Sequence, residues 1–151
     1  MNWDTGRDKG HLPDDGVEDR FRTSAAKRRA DVVSHEVIGS ALEVHRRLGP
    51  GLLESAYRAC LVEELKRRRL GCIEEMALPI NYKGLVLLAG YRLDVLVEDL
   101  VVVELKAVQV LEPIHETQLL TYLRLSRRWL GLLINFNSVL LKHGIRRRLN
   151  G

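Results

Sequence analysis

Four ionisable side chains stand where an otherwise apolar pattern has little reason to keep them: Glu54, Asp94, Glu104 and Lys106. The last three interrupt two runs rich in β-branched residues, Gly90–Val97 and Leu100–Lys106, which the polar dipeptide Glu98-Asp99 separates. Such runs read as neighbouring strands joined by a turn. Side chains alternate along a strand, so Glu104 and Lys106 share a face, opposite Val103 and Leu105. If the strands pair as a hairpin, Asp94 can reach that face too. Two carboxylates and an ammonium would then meet in the middle of a sheet. Charge buried there is costly unless it is paired or binds a metal. The bland alternative is a same-face salt bridge between Glu104 and Lys106 on a solvated edge strand, with Asp94 a surface residue near the turn.

The elements that must position these groups are bounded first by composition. At 151 residues the chain suits one domain with a real core. Its 46% hydrophobic and 29% charged residues are ordinary for a soluble globular protein. No apolar run is long enough to span a bilayer and no hydrophobic signal segment opens the chain, so a cytoplasmic location is expected. Cys60 and Cys72 have no CxxC or Cys/His spacing, which argues against a zinc site and for two small apolar residues. The formal charge of +4 is concentrated in four clusters: Lys27-Arg28-Arg29, Lys66-Arg67-Arg68-Arg69, Arg127-Arg128 and Arg146-Arg147-Arg148. Singly these read as solvated helix ends. Together on one small domain they suit a phosphate-binding surface.

In chain order, residues 1–30 are rich in charge, Gly and Pro without apolar periodicity, and read as a disordered tail. A short helix over Val17–Arg29 is the alternative. Residues 31–151 form the folded domain. A first helix is expected from Asp31 to Leu48, with Val33, Val37, Ile38, Ala41, Leu42, His45 and Leu48 as its stripe. On that stripe His45 is more often a satisfied core histidine than a ligand. Gly49-Pro50-Gly51 stops the helix. A second runs from Leu52 to Arg69, burying Leu53, Tyr57, Cys60, Leu61 and Leu65. Glu54 falls inside that arc, either as a first-turn acid favoured by the helix dipole or as a carboxylate aimed at the sheet. Three strands follow: Glu74–Tyr82, containing Pro79, then Leu85–Val97, bent near Gly90, and Leu100–Val108. A third helix, Ile114–Ser126, carries His115, Gln118 and Tyr122 as a polar row. Trp129–Asn135 is apolar enough for a strand buried on both faces, and Val139–Leu149 for a short strand or loose extension.

The order is helix, helix, three strands, helix, strand, an α/β fold in which helices flank a small mixed sheet. In it Asp94, nine intervening residues and Glu104-Leu105-Lys106 resemble the PD-(D/E)XK nuclease signature. Gly51-Leu52-Leu53-Glu54-Ser55-Ala56-Tyr57 fits GxxExxY. Gln118 to Tyr122 resembles the QxxxY element of the superfamily's exonuclease-like branch, and Gly131-Leu132-Leu133-Ile134-Asn135-Phe136 completes a likeness to the small GxxExxY proteins. The likeness runs from about Ile38 to Arg147. It departs at Leu93, which stands where the superfamily's name has proline.

The resemblance implies a restriction-endonuclease-like αβββαβ core and a metal-dependent nuclease, acting on DNA rather than RNA, in repair, recombination or defence. It implies Mg²⁺ or Mn²⁺ held by Asp94, Glu104 and the Leu105 carbonyl, with Glu54 joining directly or through water. Lys106 would orient the attacking water or stabilise phosphate charge. Gln118 and Tyr122 would position the site or the nucleic-acid backbone, Tyr57 would orient Glu54, and His115 would contact phosphate or sit idle at the surface. The rival reading is a non-catalytic nucleic-acid- or protein-binding module that kept the fold. A homo-oligomer or a protein partner suits the small size.

Overall fold

The structure is a computed structural model that describes residues 19–151. Most of the expected tail, residues 1–18, lies outside the described residues. The first helix, α1 (Ser24–Leu48), begins seven residues before the expected Asp31. Thr23 is its cap: the hydroxyl accepts from the Ala26 N–H at 3.1 Å, satisfying a donor that the first turn would otherwise leave open. The charges of Lys27, Arg28 and Arg29 hid this turn in the sequence, because Ala30 is its only buried residue. The stripe also rotates. Ala30, Val33, Val37, Ala41 and Val44 face the core, whereas Leu42 and Leu48, both expected inside, are exposed. His45 is a satisfied histidine, its Nε2 lying 2.8 Å from the Ser138 carbonyl oxygen.

The second helix, α2 (Glu54–Arg67), buries Tyr57, Leu61, Val62 and Leu65. Leu53, placed inside by periodicity, is instead the residue before the helix and 77% exposed. The expected first two strands are each broken in two, giving β1 (Cys72–Ala77), β2 (Ile80–Tyr82), β3 (Leu85–Leu87) and β4 (Arg92–Val97). Pro79 has no N–H to lend a ladder and marks the first break. Gly90, at φ 81°, makes the bend at the second. The pieces β2 and β3 pair as a separate two-stranded arm. After them come β5 (Val101–Lys106), α3 (Pro113–Ser126), β6 (Leu130–Asn135) and, beyond a short 3₁₀ turn, β7 (Ile145–Leu149).

The main sheet has the order β1-β4-β5-β6-β7, antiparallel except for the parallel pair β5–β6. β5 is therefore its central strand. Helices α1 and α2 cover one face, over Val95, Val103, Leu105, Leu132 and Ile134. Helix α3 covers the other, packing Leu119 and Leu123 on Leu96, Val102 and Leu133. Each such fully buried aliphatic side chain contributes roughly 1.5–3 kcal/mol. Gly131 sets how closely α3 approaches: a Cβ there would lie 2.8 Å from Leu119 Cδ1. All six residues of β6 are buried, as a strand covered on both faces requires. This is an α/β fold with a mixed sheet between helical layers. Among the described residues no helix is long and apolar enough to cross a membrane.

Candidate active site

Leu100, expected to open the second strand, instead completes a three-residue turn, Glu98-Asp99-Leu100, in which Glu98 and Asp99 take positive φ; it joins β4 to β5 and fixes the register Val97↔Val101, Leu96↔Val102 and Val95↔Val103. One more step would set Asp94 opposite Glu104, on one face of the pair. Backbone pairing ends before that step, and side chains take over from the ladder. The Asp94 N–H donates to Glu104 Oε1 at 3.1 Å, and the Leu105 N–H donates to Asp94 Oδ2 at 2.8 Å. The two carboxylates thus sit between the strands where the β4–β5 ladder ends, while β4 goes on pairing with β1 through Leu93 and Arg92. On the far side β1 is distorted at the same level, with Glu75 at φ 51° and its pairing skipping from Glu74↔Val95 to Met76↔Leu93.

Glu104 is 4% exposed on the central strand, so the edge-strand salt bridge offered as the bland alternative does not form. Among the described residues, no ion pair within 4 Å involves Glu54, Asp94, Glu104 or Lys106. Burial, and then the charge of Asp94 beside it, push the Glu104 carboxyl up to about 9. Lys106, half-buried on the same face, pulls the other way more weakly. Two acids facing each other behind a weak counter-charge form a site short of positive charge.

Glu54 opens α2. Burial raises its carboxyl above the ordinary range, the field of Asp94 adds to the shift, and Lys106 and Arg58 oppose it. It thus lies within the field of Asp94. The three carboxylates do not close on one point, however. No group of three His, Cys, Asp or Glu side chains among the described residues is placed to hold a metal ion.

Tyr57 orients the start of α2. Its hydroxyl donates to the Gly49 carbonyl oxygen at 2.5 Å and accepts the Leu52 N–H at 3.1 Å, while its ring stacks on Phe136 at 4.7 Å. On α3, Gln118 Nε2 donates to the Tyr122 hydroxyl at 2.9 Å. Burial and then the charge of Glu104 raise the Tyr122 phenol, which therefore lies in the field of the acids. His115 does not extend that row into the site. Its Nδ1 accepts the Glu112 N–H at 2.9 Å, closing a capping box at the start of α3.

Sequence reasoning gave no role to Asn135. This 3% exposed residue lies beside Lys106 in register, accepts the Val108 N–H at 3.0 Å and donates to the Val108 carbonyl at 2.9 Å. It pins the chain just beyond β5. A polar residue closing an otherwise apolar strand was the available signal. The basic clusters, in contrast, are largely spoken for: Arg29 pairs with Glu98, Arg67 with Glu63, Arg68 with Glu64 and Glu36, and Arg128 with Asp99. Arg146 and Arg148 share Glu116, and Arg147 meets Asp31. Such pairs offset the local charge that a phosphate-binding surface would use.

An α/β sheet whose central strand carries a buried acid and a lysine two residues on, with a second acid opposite, defines a restriction-endonuclease-like protein. A model of the PD-(D/E)XK nuclease superfamily matches residues 31–148, and the chain belongs to that superfamily. No curated protein and no solved structure matches the chain significantly.

Proposed function

We propose that this protein is a metal-dependent phosphodiester hydrolase of the GxxExxY branch, a nuclease that cuts DNA in the cytoplasm. The observation that carries the reading is the carboxylate pair Asp94–Glu104, which sits between strands at the centre of the sheet with Lys106 on the same face. A structural role would not spend two acids there, since a buried, unneutralised pair destabilises the fold.

The donor set fits Mg²⁺ or Mn²⁺. Both ions prefer hard oxygens, and Mg²⁺ is usually held by one or two carboxylates while keeping several waters. Asp94, Glu104 and the Leu105 carbonyl would hold the ion, whose charge would offset the burial and the Asp94 field that raise the Glu104 carboxyl. When bound, the ion would neutralise the phosphate and lower the pKa of the attacking water. The chain supplies the rest. The Lys106 ammonium orients that water and stabilises charge developing on the phosphate oxygens. Glu54, whose carboxyl burial and then Asp94 raise above its ordinary range, would accept a proton at the edge of the site through an intervening water. Tyr57 holds Glu54 in place, and the Gln118–Tyr122 pair lines the α3 side.

The test is cleavage of end-labelled single- and double-stranded DNA during a Mg²⁺ or Mn²⁺ titration. The native chain should cut, while Glu104→Ala and Lys106→Ala should each lose roughly a hundredfold or more in rate. Tight binding without cutting in any metal would replace the enzyme reading with that of a binding module.

A further inference from the structure

Between the β2–β3 arm and α3 lies a cleft of about 240 Å³ whose inner wall is the Gln118–Tyr122 pair. Tyr91, at the root of the arm, stands edge-on to Tyr122 with ring centroids 6.5 Å apart and planes at 63°, and 44% of its surface is open. Ile80 and Ile114 close the sides, and Thr121 offers a hydroxyl. The lining contains no Asp, Glu, Lys or Arg. The acids stand just behind it, close enough that Glu104 and Asp94 both raise the Tyr122 phenol.

We infer that this cleft is a nucleobase subsite, so that the substrate is a strand whose base beside the cut is unpaired. The inference rests on the nuclease reading and deepens it. The two regions divide a nucleotide by its chemistry. The acidic pair with its ion takes the anionic phosphate, and the uncharged cleft one wall away takes a flat, apolar ring with polar edges. Tyr91 offers that ring a stacking surface, which serves any base, while Gln118 and Thr121 supply hydrogen-bonding groups at its edge. A base inside a duplex is stacked on both faces and cannot enter without being extruded, which costs unpairing energy. The cleft therefore selects single strands, ends or mismatches over intact duplex. It also gives Tyr91, which the acid–lysine chemistry does not use, a role.

The test uses the full chain carrying Lys106→Ala, which keeps the strand uncut, with Mg²⁺ and a short single-stranded DNA bearing one 2-aminopurine. Stacking on Tyr91 should quench the probe. Tyr91→Ala should remove the quench and weaken binding roughly tenfold, the size expected for one lost base–aromatic stack. Tyr91→Trp should keep both, and Thr121→Trp, which fills the cleft from α3, should abolish both with Tyr91 intact. A matched duplex should bind at least tenfold more weakly than the single strand. Equal quenching in the Tyr91→Ala chain, or equal affinity for duplex, overturns the proposal. Cutting by the native chain without any fluorescence response overturns the cleft alone and leaves the nuclease standing. Quenching in a protein that never cuts leaves the cleft standing and removes the nuclease.

Discussion

Replacing Glu104 with glutamine should make the metal-free protein more stable while disabling it. In the unfolded chain Glu104 ionises near 4.5, and in the folded one its carboxyl is pushed up to about 9 by burial and by Asp94. Between those values the folded state holds more protons than the unfolded state, so stability falls as the pH rises from about 4.5 to about 9. At pH 7.5, about three pH units above the unfolded value, the penalty reaches about 4 kcal/mol at ~1.4 kcal/mol per unit. The amide of the Glu104→Gln variant cannot ionise and escapes it. Its oxygen still accepts the Asp94 N–H, and its NH₂ group can donate to the Asp94 carboxylate. At ~2–4 °C per kcal/mol for a chain of this size, the melting temperature should rise by up to about 8–16 °C. The assay is thermal unfolding by circular dichroism in chelator, from pH 5 to pH 9, repeated with Mg²⁺. Mg²⁺ should stabilise the native chain above pH 7 and leave Glu104→Gln unmoved. A variant that melts lower than the native chain at pH 7.5 without metal, or a native curve flat across this range, would refute the reasoning.

Other perturbations test the scaffold and the outlying acid. Tyr57→Phe removes the hydroxyl between Gly49 and Leu52, and should lower unfolding free energy by ~1–2 kcal/mol in urea titrations. Gly144→Ala would drive a Cβ into Ser138 Oγ and to 2.6 Å from the Asn135 carbonyl oxygen. The forced shift should cost about 1–3 kcal/mol, measured by denaturant midpoint, and should reach Lys106 through the Asn135 clamp as reduced cleavage. Because burial and Asp94 raise the Glu54 carboxyl, the acid limb of the native pH–rate profile should lie above the ordinary carboxylate range. Glu54→Gln should abolish that limb and slow cutting roughly a hundredfold, while an unchanged profile would remove Glu54 from proton transfer.

The acidic pair was half legible: alternation gives Glu104 and Lys106 one face, but a two-residue Glu98-Asp99 turn would set Asp94 opposite Val103, and it is the third turn residue, Leu100, that shifts the register so that Asp94 and Glu104 share a face. The fold class followed in the same way from the order of periodic segments. What stayed hidden has physical causes. Helical periodicity placed Leu53 inside because it does not show where the first turn starts, and α2 begins at Glu54, two residues after the expected Leu52. Ser24–Ala30 looked like tail because its core contact is a single alanine among charges. The split of the long strands into a separate arm depends on tertiary packing that Pro79 and Gly90 permit but do not specify. The outlying place of Glu54 was not visible: its spacing gave the helix face but not the distance, and the start of α2 is set by the Tyr57 anchor and the Phe136 stack.

The central claim is that Asp94 and Glu104 hold a divalent cation, and anomalous scattering from crystals soaked in Mn²⁺ tests it most directly. The account predicts one strong peak between the two carboxylates, within coordination reach of both and of the Leu105 carbonyl, lost in Glu104→Gln. Manganese bound elsewhere, or an unchanged peak in that variant, would contradict it.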